Sequence, residues 1–135
     1  MKGRITVIED DVDLRNLLQS GLSVEGYSVL SYATGDEFLV AWQEDGASDL
    51  YVIDINLGGT TGYEICNQIK ANPDSRRATV ILVSANPEVR ELARDANADD
   101  YMLKPFSQRA LFNKITELLK RRFHNGSPDY NPEIT

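Results

Sequence analysis

The chain has 135 residues, 41% hydrophobic and 26% charged, a makeup that suits one soluble globular domain with a single good core. Fourteen Lys and Arg against twenty-one Asp and Glu give a formal charge of −7. That disfavours broad electrostatic binding to DNA, RNA or an anionic membrane, and leaves a basic partner or a divalent cation open. Cys66 is the only cysteine, which excludes an intramolecular disulfide and a cysteine-based zinc cage. It reads as a small apolar residue buried on a helix. No apolar stretch approaches the roughly 20 residues that span a bilayer. Met1-Lys2-Gly3-Arg4 runs into a strand pattern without a secretory signal, so a cytoplasmic address is the default.

Strand-like and helix-like patterns alternate from the start. Ile5-Thr6-Val7-Ile8 is a short apolar run ending in Glu9-Asp10-Asp11, and Leu14, Leu17, Leu18 and Leu22 then recur at helical spacing up to Glu25-Gly26. Tyr27 to Tyr32 alternates as a weaker strand. Thr34 and Glu37 have capping-box spacing and open a helix carrying Phe38 and Trp42, which stops at Glu44-Asp45-Gly46. Leu50-Tyr51-Val52-Ile53 is the third strand, running into Asp54. The loop Gly58-Gly59-Thr60-Thr61-Gly62 precedes a helix with Ile65, Cys66 and Ile69 inward, broken by Asn72-Pro73-Asp74-Ser75.

Thr79 to Val83 is the fourth strand, ending in Ser84-Ala85. Asn86-Pro87 reads as a cap followed by proline at the first helical position, with the helix continuing to about Asp95. Asp100-Tyr101-Met102-Leu103 runs into Lys104-Pro105. Ser107 caps the last helix, with Phe106 and Leu111 placed as a hydrophobic staple and Ile115, Leu118 and Leu119 extending the buried stripe. Residues 1–123 are read as one domain and 124–135 as a polar, breaker-rich tail or linker stump. His124, the sole histidine, stands at the start of that tail and is read as incidental. Five strands alternating with five helices predict a doubly wound parallel α/β sheet.

Ligands of open α/β sheets bind outside the carboxyl ends of the strands, so the residues that end each run gain weight. Three adjacent acids repel one another, and a helix-starting Asp11 accounts for only one of them. Glu9 and Asp10 near Asp54 would form a hard oxygen cage suited to Mg²⁺. Asp54 itself reads as a cap, a metal ligand or a nucleophile toward phosphorus. Lys104 reads either as a solvated surface charge or as an ammonium that screens incoming phosphoryl oxygens, its backbone fixed by Pro105. Ser84 reads as a turn residue or, with the Ala85 amide, as a donor to such oxygens.

Taken in order, Glu9-Asp10, Asp54, Ser84-Ala85, Asp99-Asp100-Tyr101 and Lys104-Pro105-Phe106 resemble the receiver domain of two-component response regulators, over roughly residues 3 to 122. The resemblance implies a flavodoxin-like fold with sheet order 2-1-3-4-5. It implies that Asp54 accepts phosphoryl from a sensor histidine kinase or phosphotransfer protein. Mg²⁺ or Mn²⁺ would be bound by Asp10 and Asp54 directly, by Glu9 through water and by the Asn56 carbonyl. Lys104, Ser84 and the Ala85 amide would hold the phosphoryl group. Ser84 and Tyr101 would act as switch residues toward a downstream protein or an output domain outside this chain, as monomer or phosphorylation-dependent dimer. For Tyr101 the residue-level alternative is a half-buried strand aromatic.

The chain departs from the family pattern at Gly58 and Thr79, where prolines are usual, and at Thr61, where an acid is common. Gly58-Gly59 predicts a more mobile loop, and the Ser84–Lys104 stretch, about two residues shorter than the family's, predicts a shortened fourth helix that puts the family's usual dimer and partner surface in doubt. Two other readings compete. A haloacid-dehalogenase-like phosphatase would need a second Asp where Asp54-Ile55-Asn56 has Asn56, and a different motif order. A non-phosphorylated receiver-like scaffold would usually lack the acids or the lysine. A nucleotide or flavin binder is disfavoured, since no Gly-rich phosphate loop follows the first strand.

Overall fold

The computed structural model describes residues 2–124, with side chains through residue 122. Five strands, β1 (Arg4–Ile8), β2 (Ser28–Tyr32), β3 (Leu50–Asp54), β4 (Thr79–Ser84) and β5 (Asp100–Leu103), alternate with α1 (Val12–Val24), α2 (Gly35–Asp45), α3 (Gly62–Ala71), α4 (Val89–Asp95) and α5 (Gln108–His124). All pairings are parallel in the order β2-β1-β3-β4-β5. The expected doubly wound sheet is therefore the one observed. The tail expected over 124–135 lies outside the described residues, apart from His124, which closes α5.

β3 and β4 are buried on both faces, and the alternation along the strands sorts side chains between two cores. Tyr51, Ile53, Val80 and Leu82 point toward Phe38 of α2, Ile65 and Ile69 of α3 and Val89 of α4. Leu50, Val52, Ile81 and Val83 point the other way, toward Leu18 and Leu22 of α1 and Leu111, Ile115 and Leu119 of α5. β2 is only half-buried along its length, as an edge strand with one neighbour would be. Cys66 is fully buried in the first of these cores, where its thiol donates to the Ala96 carbonyl.

Helix starts follow the polar residues before them. Asp11, Thr34, Thr61 and Ser107 each accept from a backbone N–H three residues on, at 3.0–3.2 Å. Gly46 closes α2 at φ 73°, in the left-handed region that glycine enters without cost. One expected start is displaced. Asn86-Pro87 does not open α4: the Asn86 carboxamide oxygen accepts from the Glu88 N–H and its carbonyl from the Val89 N–H, closing a turn first. The helix begins at Val89, with Glu88 before it making no side-chain cap, and runs for seven residues.

The two edges of the sheet differ in their polar chemistry. At the amino end of β3, Asp49 accepts from the Arg4 N–H and pairs with Arg122 of α5 at 3.6 Å. Near the start of β4, Lys70 pairs with Asp99 at 2.7 Å and also donates to the Ala78 carbonyl. At the carboxyl edge, α3 begins hard against β3. A Cβ on Gly62 would stand 2.1 Å from the Asp54 carbonyl oxygen and 2.7 Å from the Ile55 Cα. Both obstacles are backbone, so a side chain there displaces the turn that carries Asp54. Gly62→Ala is expected to lower stability by about 1–3 kcal/mol, the usual cost of overpacking, read as a shift in the urea midpoint at unchanged slope.

Candidate functional site

Strand register assembles the site. Ile8 pairs with Ile53, which sets Glu9 beside Asp54 at the next position. Ser84 pairs with Leu103, so Lys104 follows at the same level, and its N–H donates to the Ser84 carbonyl at 2.8 Å. Four residues separated by up to 95 positions in sequence thus share one edge. The Lys104 ammonium lies 2.9 Å from Asp54 Oδ2 and 2.8 Å from Glu9 Oε1. Oxygens of Glu9, Asp10 and Asp54 all fall within 4.8 Å of one another.

Glu9 and Asp54 are almost wholly buried, at 3% and 4% exposure, whereas Asp10 is exposed. Burial pushes the Glu9 carboxyl up to about 7. Bonds from the Lys104 ammonium and the Asp11 N–H pull it down without overcoming that effect, and Asp54 adds to the rise. Burial alone would lower the Lys104 ammonium. Hydrogen bonds and charge from Glu9 and Asp54 reverse that and leave its pKa above the ordinary value. Three oxygens this close are hard donors that a small divalent cation would satisfy, and the Lys104 ammonium is the counter-charge that Glu9 and Asp54 share.

The turns around the acids are fixed by hydrogen bonds from nearby residues. Glu9 Oε2 accepts from the Asp11 N–H at 3.1 Å, and the Glu9 carbonyl accepts from the Arg15 guanidinium at 2.8 Å. Asp54 Oδ1 accepts from the Asn56 N–H at 2.9 Å. Ser84 is fully buried, and its hydroxyl accepts from the Asn56 carboxamide at 3.1 Å and from the Asn86 N–H at 3.0 Å. It is thus the turn residue that its position suggested, and Asn56 links it to Asp54. Ala85 is exposed beside Lys104, lining with Asp11, Leu14, Pro105 and Phe106 a cavity of about 380 Å³.

Tyr101 lies farther from the acids, half-buried against the α2–α3–α4 core, with the Lys114 ammonium 6.0 Å from its ring centre. Lys114 also pairs with Asp100 at 3.0 Å. The Lys104–Pro105 peptide is cis. Thr60 donates to Asp36 at 2.6 Å, tying the Gly58-Gly59 loop to the first turn of α2. Sequence reasoning missed Gly62, Arg15 and the bridging side chain of Asn56. The glycine alone left a trace, as the last of three in five positions.

Fold and pocket together define a flavodoxin-like α/β module with its polar site at the switch point between β1 and β3. The family model for the response regulator receiver domain matches residues 5–116, and the chain belongs to that family, the signalling switches of two-component systems. It is 35% identical over 123 residues to the phosphate regulon transcriptional regulatory protein PhoB of Rhizobium meliloti (strain 1021), covering 90% of this chain and 54% of that protein. It is 34% identical over 119 residues to the transcriptional regulatory protein GltR of Pseudomonas aeruginosa, covering 87% and 49%. The chain spans about half the length of the curated relatives it matches.

Among solved structures, the BeF3-activated receiver domain of DrrB from Thermotoga maritima superposes with a TM-score of 0.78 at 31% identity, covering 90% of this chain and all of that one. TrrA from Thermotoga maritima, solved in complex with Mg²⁺-BeF, gives 0.74 at 33% identity, covering 85% and 97%. Chemotaxis protein CheY4 of Vibrio cholerae, at 21% identity and a TM-score of 0.77 over 84% and 96%, shares the fold.

The raised Glu9 pKa makes a pH prediction. The folded chain holds that proton more tightly than the unfolded chain, so the contribution to stability is full below 4.5 and is lost as pH rises to about 7. In EDTA, Glu9→Gln is expected to gain stability relative to wild type between pH 5 and pH 7.5. Urea midpoints of both chains across that window check the sign.

Proposed function

We propose that Asp54 accepts a phosphoryl group from a phosphohistidine on a sensor kinase or phosphotransfer protein. A new bond forms from an Asp54 carboxylate oxygen to phosphorus as the phosphorus–nitrogen bond of the donor breaks. The observation that carries this reading is the Lys104 ammonium held between Glu9 Oε1 and Asp54 Oδ2 at 2.8 and 2.9 Å. An ammonium so held supports the reading, because it would offset the charge of phosphoryl oxygens arriving beside Asp54. Catalysis of this kind is mostly positioning and charge stabilisation, and both are built before the donor docks.

Mg²⁺, or Mn²⁺, fits the same pocket. Asp10 and Asp54 would hold it directly, Glu9 through water and Asn56 through its carbonyl, and the ion would neutralise charge on the transferring group. Lys104 pairs with the bound phosphoryl, with the Ser84 hydroxyl and the Ala85 N–H as further donors. Tyr101 turns inward behind Ser84 and changes the α4–β5–α5 surface read by a downstream protein or an output domain outside this chain. The module so assists its own phosphorylation and slow dephosphorylation. Residues 1–123 form the phosphoacceptor unit, acting in the cytoplasm as monomer or phosphorylation-dependent dimer. No helix among the described residues is long and apolar enough to cross a membrane.

With acetyl phosphate or phosphoramidate and Mg²⁺, the chain is expected to gain one phosphoryl mass, while Asp54→Asn or chelation of the metal abolishes the gain. Intact-mass measurement reads this directly, and an equal gain in Asp54→Asn removes Asp54 as acceptor. Lys104→Ala is expected to keep accepting phosphoryl but to lose the accompanying change in the Tyr101 environment. An unaltered spectroscopic response in that variant removes Lys104 as the relay.

A further inference from the structure

Asn56 touches both halves of the site. Its backbone N–H donates to Asp54 Oδ1 at 2.9 Å, and its carboxamide donates to Ser84 Oγ at 3.1 Å. Ser84 Oγ also accepts from the Asn86 N–H at 3.0 Å. A hydroxyl has two acceptor positions and one proton, so these two donors fill both acceptor positions. The Asn86 bond is local, two residues along the same turn, and travels with Ser84. The Asn56 bond is not: it crosses from the β3–α3 loop to the end of β4, a separation of 28 residues. Ser84 is fully buried, whereas Asn56 is exposed, so the bond restrains an interior hydroxyl from the surface.

We propose that the Asn56 carboxamide is a latch that holds Ser84 in its unphosphorylated position and sets how readily the switch is thrown. The inference rests on the proposed phosphoacceptor function and adds a positioning residue to it. When the β4–α4 turn moves as a unit to bring the Ser84 hydroxyl to an oxygen on Asp54, the Asn86 bond, internal to that turn, moves with it, and the Asn56 bond, which reaches across from the β3–α3 loop, is the one broken. Its loss is a cost that the arriving group must overcome. Removing the carboxamide lowers that cost and favours the switched position, because a ligand moves a two-state equilibrium only by its differential affinity for the two states.

Beryllofluoride, a stable mimic of a phosphoryl group on a carboxylate, tests the latch without any donor protein. It is titrated at saturating Mg²⁺ while the amide shifts of Ser84 and Tyr101 are followed by NMR. In Asn56→Ala the midpoint is expected to fall by about two- to tenfold, the worth of one ordinary hydrogen bond. In a Ser84→Ala background the same substitution is expected to leave the midpoint unmoved, which a merely structural role of Asn56 would not predict. An unchanged or raised midpoint in Asn56→Ala, or an effect that persists without the Ser84 hydroxyl, overturns the latch alone. A wild-type chain that shows no beryllofluoride response overturns the latch and the phosphoacceptor reading together.

Discussion

One lysine facing two buried carboxylates is the constraint around which the rest of this molecule is arranged. Glu9 and Asp54 are taken out of water by their neighbours, and Lys104 is the cation placed within bonding distance of both. Isolated buried charges are costly, so this trio is tolerable only as a set, and the set exists only if β1, β3 and β5 keep their register. A one-residue slip in any strand would send its terminal residue to the other face of the sheet. The two apolar cores that fix the register therefore also fix the electrostatics of the pocket.

The same coupling explains why so many of the small contacts near the site are backbone contacts. Gly62 lies against the carbonyl of Asp54, the Asn56 N–H steadies one carboxylate oxygen, and Arg15 reaches the carbonyl of Glu9. They fix where the acids point.

Much of this was legible in the sequence. Apolar runs of four residues between breakers marked the buried strands, and their polar last residues marked the edge where the pocket lies. Helix starts at Asp11, Thr34 and Ser107 follow from a short polar side chain ahead of a helical pattern, whereas the cap at Thr61 is hidden inside a stretch that reads as a flexible loop. Asn86 misled because its side chain serves a turn just as well as a helix start, and the choice depends on where β4 delivers the chain. Gly62, Arg15 and the Asn56 side chain act through partners distant in sequence or on main-chain atoms, which no local pattern encodes. Tyr101, read both as a strand aromatic and as a moving part, is half-buried beneath Lys114.

The pairing of charges along the strands carries a last implication. At the amino edge Asp49 and Asp99 each have a cationic side chain of their own, from Arg122 and Lys70. At the opposite edge Glu9 and Asp54 divide a single ammonium, with Asp10 close beside them. The acids at the amino edge are thus matched one for one, whereas Glu9 and Asp54 share one cation, and a dissolved cation is drawn toward the under-matched group before any specific bond is made.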